Sequence, residues 1–228
     1  MEIIENSAVA HNNAGTVYLF TEYPKENSQL EKNNFLEKAI VAFNKAVELC
    51  PGYLDPHRNL VLAYVNKEDF KNALVQAEIV RKSAPSIRID DLKQTAFLYF
   101  RTNQAEKALH ELDTLLKNFP DFAKGYNDKG FILSATGNYS EAIKMFQKAI
   151  DLDPNYAQAY SNMGGAYCYL NQYAKGLECF HKSAQLDPND AENYDFMSKA
   201  YEAMGKTDSA RIYLEKAATL KNAPRKTN

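Results

Sequence analysis

The sequence predicts an all-α fold, a solenoid of six antiparallel helix pairs, and three observations carry that prediction. The first is a fixed period: Tyr126, Gly130, Ala142, Phe146, Ala149 and Pro154 return as Tyr160, Gly164, Gly176, Phe180, Ser183 and Pro188, each 34 residues on. The second is that each period holds two stretches with apolar residues at i, i+3, i+4 and i+7, the spacing of an amphipathic helix. The third is punctuation. A turn with Gly or Asn separates the two stretches, as at Gly137-Asn138, Asn171-Gln172 and Gly205-Lys206. A proline often follows the second stretch, where it has no N–H to continue the hydrogen-bond ladder.

Taken in order, a short lead (1–7) precedes a first unit at 8–53. Its first helix is expected over 7–20, because Ala14, Gly15 and Tyr18 repeat the spacing of Met163, Gly164 and Tyr167. Pro24 argues against a helix interior around it. The second helix, over 34–49, is marked by Ala39, Phe43, Ala46 and the following Pro51, which leaves an inserted loop at 21–33. Such insertions are tolerated because closure entropy grows slowly with length, and they often sit at functional surfaces. The unit 54–88 carries one extra residue and supplies His57, Val61, Tyr64, Ala73, Ala77, Val80 and Pro85; 89–122 supplies Leu92, Ala96, Tyr99, Ala108, Leu112, Leu115 and Pro120. The units 123–156 and 157–190 are the regular pair described above.

The last unit, 191–222, offers Tyr194, Ser198, Tyr201, Ala210, Leu214 and Ala217, followed by a basic tail at 223–228. Arg211 stands in it where Ile40, Leu74, Leu109, Ile143 and Leu177 give earlier units an apolar contact with the next one, as expected of a terminal repeat. At the other edge His11, Val17 and Leu19 show no polar replacement. That edge is expected to stack on another copy or to continue a longer chain. Small slots at Gly130, Gly164, Ala108 and Ala142 let paired helices approach while Phe146 and Phe180 fill the gap between neighbours. Gly176, in place of an alanine, should cost about 0.5–1 kcal/mol of helix propensity.

Composition excludes several classes of function. Hydrophobic residues at 45% and charged residues at 25% are an ordinary globular balance, and a formal net charge of −2 gives no global field for nucleic acid. Cys50, Cys168 and Cys179 are odd in number and lack CxxC spacing, so neither a disulfide framework nor a zinc site is expected. No apolar run is long enough to cross a bilayer, and the start MEIIENSAVAHNN lacks the basic and apolar regions of a signal peptide. His11, His57, His110 and His181 have no ligand or catalytic spacing, and no nucleophile elbow or phosphate loop occurs. No enzymatic activity and no cofactor are expected. The expected compartment is the cytoplasm, or the periplasm if the chain belongs to a membrane protein.

These units resemble the tetratricopeptide repeat, and the resemblance covers nearly the whole chain. It implies a right-handed superhelix whose first helices line a concave groove, and it implies protein or peptide partners rather than nucleic acid. Carrying the repeat register across places Arg58, Asn59, Lys93, Gln94, Phe97, Phe100, Arg101, Lys124, Asn127, Asp128, Phe131, Asn162 and Tyr169 on that groove. Together with Asn13, the residues Asn59, Gln94, Asp128 and Asn162 form a polar ladder at one slot, suited to an extended peptide backbone. Arg58, Lys93, Arg101 and Lys124 beside Phe97, Phe100 and Phe131 would suit an acidic ligand. Phe97 and Leu62 stand where the family's chaperone-tail clamp needs Asn, so that ligand is not expected. The function expected is a non-enzymatic interaction scaffold or adaptor. An alternative rests on residues 5–20 and 36–53, which look similar to the start of the repeat region in some bacterial membrane glycosyltransferases.

Overall fold

The computed structural model describes residues 2–23, 28–86 and 88–222. Among them are twelve α-helices and no β-strand. In chain order they are α1 (Glu2–Val17), α2 (Gln29–Leu49), α3 (Leu54–Asn66), α4 (Phe70–Ser83), α5 (Ile89–Arg101), α6 (Ala105–Asn118), α7 (Ala123–Ala135), α8 (Tyr139–Leu152), α9 (Ala157–Tyr169), α10 (Tyr173–Leu186), α11 (Ala191–Ala203) and α12 (Thr207–Asn222). Two compact units divide the chain, Met1–Leu115 and Leu116–Asn228. In the first, α1 pairs with α2 and α3 with α4, while α2 packs on α3 and α4 on α5. In the second, α7 with α8, α9 with α10 and α11 with α12 form the pairs, joined by α8 on α9 and α10 on α11.

The turns after α3, α5, α7, α9 and α11 share one geometry. Glu68, Asn103, Gly137, Asn171 and Gly205 each sit two residues past a first helix with φ of 60°, 61°, 83°, 59° and 72°. The next residue's N–H reaches back to a carbonyl five residues earlier, as Asn138 does to Leu133 (2.8 Å) and Gln172 to Tyr167 (2.9 Å), capping the helix C-terminus. Left-handed backbone suits Gly and tolerates Asn, so Glu68 is the strained member. Glu68→Gly is expected to raise stability by about 0.5–1 kcal/mol. A urea midpoint unchanged or lowered by that substitution would show that the Glu68 side chain offsets its own strain.

Between paired helices, residue sizes are matched. A Cβ added to Gly15 would lie 2.5 Å from the Phe43 ring, one on Gly130 2.6 Å from Phe146, and one on Gly164 2.7 Å from Phe180. The same two slots hold Ala96 with Leu112 and Val61 with Ala77, so the second-helix residue shrinks as the first-helix one grows. Gly176 is part of this closeness. A Cβ there would sit 2.6 Å from Cys168 Sγ and 2.9 Å from the Gly164 carbonyl, so the slot needs glycine despite its cost in helix propensity.

Four expectations change. The lead 1–7 is helical from Glu2, because nothing in 2–7 breaks a helix and Ala8 is buried beneath it. The described residues of the segment 21–33 are mostly helix rather than loop. A π-helical turn, Tyr18–Glu22, extends α1 and buries Leu19, and α2 begins at Gln29, where the Ser28 carbonyl accepts from Lys32 N–H at 2.9 Å. Residues 29–33 favour helix, with Gln29 donating to Asn33 at 3.1 Å. In the last pair Leu214 is exposed rather than core, as are Arg211 and Ile212, because no described helix packs beyond α12. Asn127, expected on the open face, is buried, for a reason given below. Pro24 and the tail 223–228 lie outside the described residues.

Candidate functional site

The first helices bury one stripe and expose another. On α3, Leu60, Val61 and Ala63 are in the core while Leu62 is 36% exposed. At the register-equivalent positions, Phe97 of α5 is 42% exposed and Phe131 of α7 is 50% exposed. Each unit thus leaves large apolar side chains exposed at this repeated slot of its first helices.

In the first unit the basic residues of this face divide into two kinds. Arg58 is a strut: its Nε and Nη2 donate to the two oxygens of Asp91 at 3.0 Å each, and Nη1 reaches Asp55 at 3.2 Å. Asp91 is buried, and its hydrogen bond holds the guanidinium charged even more firmly than usual, although burial opposes it. Arg58 therefore ties α3 to α5 instead of offering a free cation. Arg101 is different. Its guanidinium carbon lies 3.8 Å from the centre of the Phe70 ring and 5.6 Å from that of Phe97. Those two rings meet edge to face, 6.1 Å apart at 82°. Lys93, Gln94 and Phe100 are half-buried on α5, and Gln94 lines a small crevice with Arg58, Asp91 and Thr95.

Phe70 escapes a sequence reading centred on first helices, because it opens α4, a second helix. A signal was present: Phe70, Tyr139 and Tyr173 are aromatics at the first position of three second helices.

Two rungs of the polar ladder, Asn59 and Asn162, hold repeats together. Asn59 donates to the buried Asn12 at 2.9 Å, and Asn12 in turn reaches the Tyr53 hydroxyl at 3.4 Å. In the second unit Asn162 donates to the buried Asn127 at 2.9 Å and accepts from Gln158 at 3.3 Å. Asn127 is thus the buried acceptor of an inter-repeat bond, not a groove residue. Asn13, which the register assigns to the ladder, is exposed one position away from the bonded Asn12.

The second unit's own face keeps Lys124 and Phe131 exposed and Asp128 half-buried. Burial, then the charges of Asp128 and Asp153, push the Tyr156 phenol up to about 12, so it stays a neutral hydroxyl. Tyr169, 70% exposed, stacks flat on Tyr139 with centroids 4.8 Å apart and planes 6° from parallel. Tyr169 and Tyr139 occupy the slots of Arg101 and Phe70, so one frame is built twice with different chemistry. Among the described residues no group of three His, Cys, Asp or Glu could hold a metal, and no helix is long and apolar enough to cross a membrane.

Comparison with known proteins agrees with this architecture. A family model described as "TPR repeat" matches residues 130–168, and one described as "Tetratricopeptide repeat" matches residues 155–223. The crystal structure of YrrB, described as a TPR protein with an unusual peptide-binding site, superposes with a TM-score of 0.64 at 23% identity, covering 90% of this chain and 96% of that one. A MamA crystal structure gives a TM-score of 0.61 at 25% identity over 71% of this chain and 94% of that one. MamA from Desulfovibrio magneticus RS-1 gives 0.65 at 20% identity over 75% and 97%. Anaphase-promoting complex subunit 7 of Mus musculus and of Homo sapiens is 29% identical over 116 residues, half of this chain. The matched region is only 20% of those proteins, so this chain spans a small part of the relatives it matches. Twelve helices, a glycine-punctuated period and these matches agree: residues 130–223 are tetratricopeptide repeats, and the chain has the all-α solenoid fold of tetratricopeptide-repeat proteins.

Proposed function

We propose that this chain is a non-enzymatic interaction scaffold that holds an extended segment of a partner protein against the open faces of its first helices. The observation that carries the reading is the apolar slot exposed at Leu62, Phe97 and Phe131 on helices whose other large apolar residues are buried or half-buried. YrrB, similar in fold, is described as having a peptide-binding site, which supports the same use of the fold here. The polar neighbours of that slot divide the labour. Arg58, Asn59, Asn127 and Asn162 fix the repeats, while Arg101, Phe97, Lys124 and Tyr169 stand exposed at the surface where a ligand would lie.

Replacing Lys93, Phe97 and Arg101 together by Ala tests the reading in the first unit. Partner capture from extract of the native cell, read by mass spectrometry, is expected to be lost while the helical circular dichroism stays unchanged. Undiminished capture of the same proteins by the triple variant would overturn it.

A further inference from the structure

We propose that Arg101, its guanidinium carbon over the Phe70 ring and beside Phe97, receives the carboxylate of an Asp or Glu in the partner's extended segment. This rests on the peptide-holding reading above and adds to it the chemistry of one ligand side chain. Of the other described arginines of the first unit, Arg58 is occupied by Asp91 and Asp55 and Arg81 by Glu111 at 2.9 Å, while Arg88 stands at the N-cap of α5, the opposite end of that helix. The interactions found for Arg101 are with rings, 3.8 Å from Phe70 and 5.6 Å from Phe97.

A guanidinium stacked on a ring has one face covered, but its N–H donors all lie in its own plane and point outward from the edge. A planar acceptor with two oxygens matches that edge, and the ring beneath prevents the guanidinium from rotating away. Arg101 also closes the last turn of α5, where the helix dipole favours a cation and so keeps it in place before any ligand arrives. Beside it, Phe97 is 42% exposed, and Leu62 at the equivalent slot of α3 is 36% exposed, so the residues flanking the acid in the ligand are apolar.

The charge around this point favours a peptide carboxylate over nucleic-acid phosphate. Asp90 is exposed at the start of α5, Asp55 at the start of α3, and the whole chain carries a net charge of −2, so no continuous basic track follows a phosphate backbone. The second unit supplies an internal control. Tyr169 on Tyr139 keeps the stacked frame but presents a phenol where Arg101 presents a cation. Arg101→Tyr therefore removes the charge while preserving the stack, and Arg101→Lys keeps the charge while removing the planar fork.

A phage-displayed library of random dodecapeptides, selected in parallel on the full chain and on Arg101→Tyr, tests the assignment. The wild type is expected to enrich an acidic residue at a fixed offset from apolar ones, and Arg101→Tyr to keep the apolar positions and lose the acid. A synthetic consensus peptide should bind Arg101→Tyr about tenfold or more weakly, and its Glu→Gln form should lose as much against the wild type. Arg101→Lys should fall between the two, with thermal melts confirming that both variants fold. Enriched peptides without an acidic position, or equal affinity for wild type and Arg101→Tyr, would overturn the Arg101 assignment and leave the peptide-holding reading standing. Failure to enrich any peptide would overturn both. Binding of a fluorescent oligothymidylate that Arg101→Tyr abolishes would replace the carboxylate with a nucleic-acid phosphate.

Discussion

Gly164→Ala is expected to lower stability by about 2–3 kcal/mol, although alanine is the better helix former by about 1 kcal/mol. The new Cβ would sit 2.7 Å from Phe180 and 2.9 Å from the Gly176 carbonyl. Phe180 cannot swing away, because it is 1% exposed and stacked on Phe196 with centroids 5.8 Å apart. Backbone yields less readily still. For Gly130→Ala the three nearest atoms all belong to the Phe146 ring, at 2.6, 2.7 and 3.0 Å, and the change should cost about 1–2 kcal/mol. The two sites therefore separate in a double-mutant cycle. Phe146→Leu added to Gly130→Ala recreates the Ala96 and Leu112 pairing and should recover part of the loss, whereas Phe180→Leu should rescue Gly164→Ala poorly because the carbonyl remains. Urea midpoints by circular dichroism measure both cycles. Strict additivity at Gly130 and Phe146 would refute the size-matching argument.

Arg58→Ala is expected to cost about 3 kcal/mol, because it strands the buried Asp91 carboxylate. The position of Asp91 in the first turn of α5, where the helix dipole favours an anion, keeps the loss from being larger. Since the pair is partly buried, with Arg58 at 22% and Asp91 at 9% side-chain exposure, the loss should change little between low and high salt. The exposed Lys45–Glu48 pair should contribute almost nothing at any salt concentration. A midpoint for Arg58→Ala within about 0.5 kcal/mol of wild type, the ordinary range for a surface substitution, would return Arg58 to the ligand-facing set.

The helix pairs were readable because their causes are local. Apolar spacing, the turn residues Gly137, Asn171 and Gly205, and the glycine slots each act within a few residues, and all five first helices from α3 to α11 end two residues before the left-handed residue. The open aromatic slot was readable too, since Phe97 and Phe131 break an otherwise small or polar pattern. The division of the polar residues was not, because it depends on what faces them across a repeat boundary. Arg58 and Asp91 are 33 positions apart, and nothing near Arg58 shows that its fork is taken. Asn12 and Asn13 are adjacent, yet a step of about 100° around the helix axis buries one and exposes the other. The same rotation buries Asn127 beside a half-buried Asp128. A charged or amide residue thus looks alike in sequence whether it binds a ligand or the next repeat.

The matched sizes of paired helices also bear on how such a chain can be recombined. Crossovers between helix pairs, at the loops before α3, α5, α9 or α11, carry each first-helix residue together with its own second-helix partner. Crossovers at the inner turns do not. Joining α3 to α8 would set Val61 against Phe146, two large side chains in a space that holds one, and joining α7 to α4 would leave Gly130 opposite Ala77 with a void between them. The whole pair is therefore the unit that can be duplicated or exchanged, and the turn at its centre is the worst place to cut.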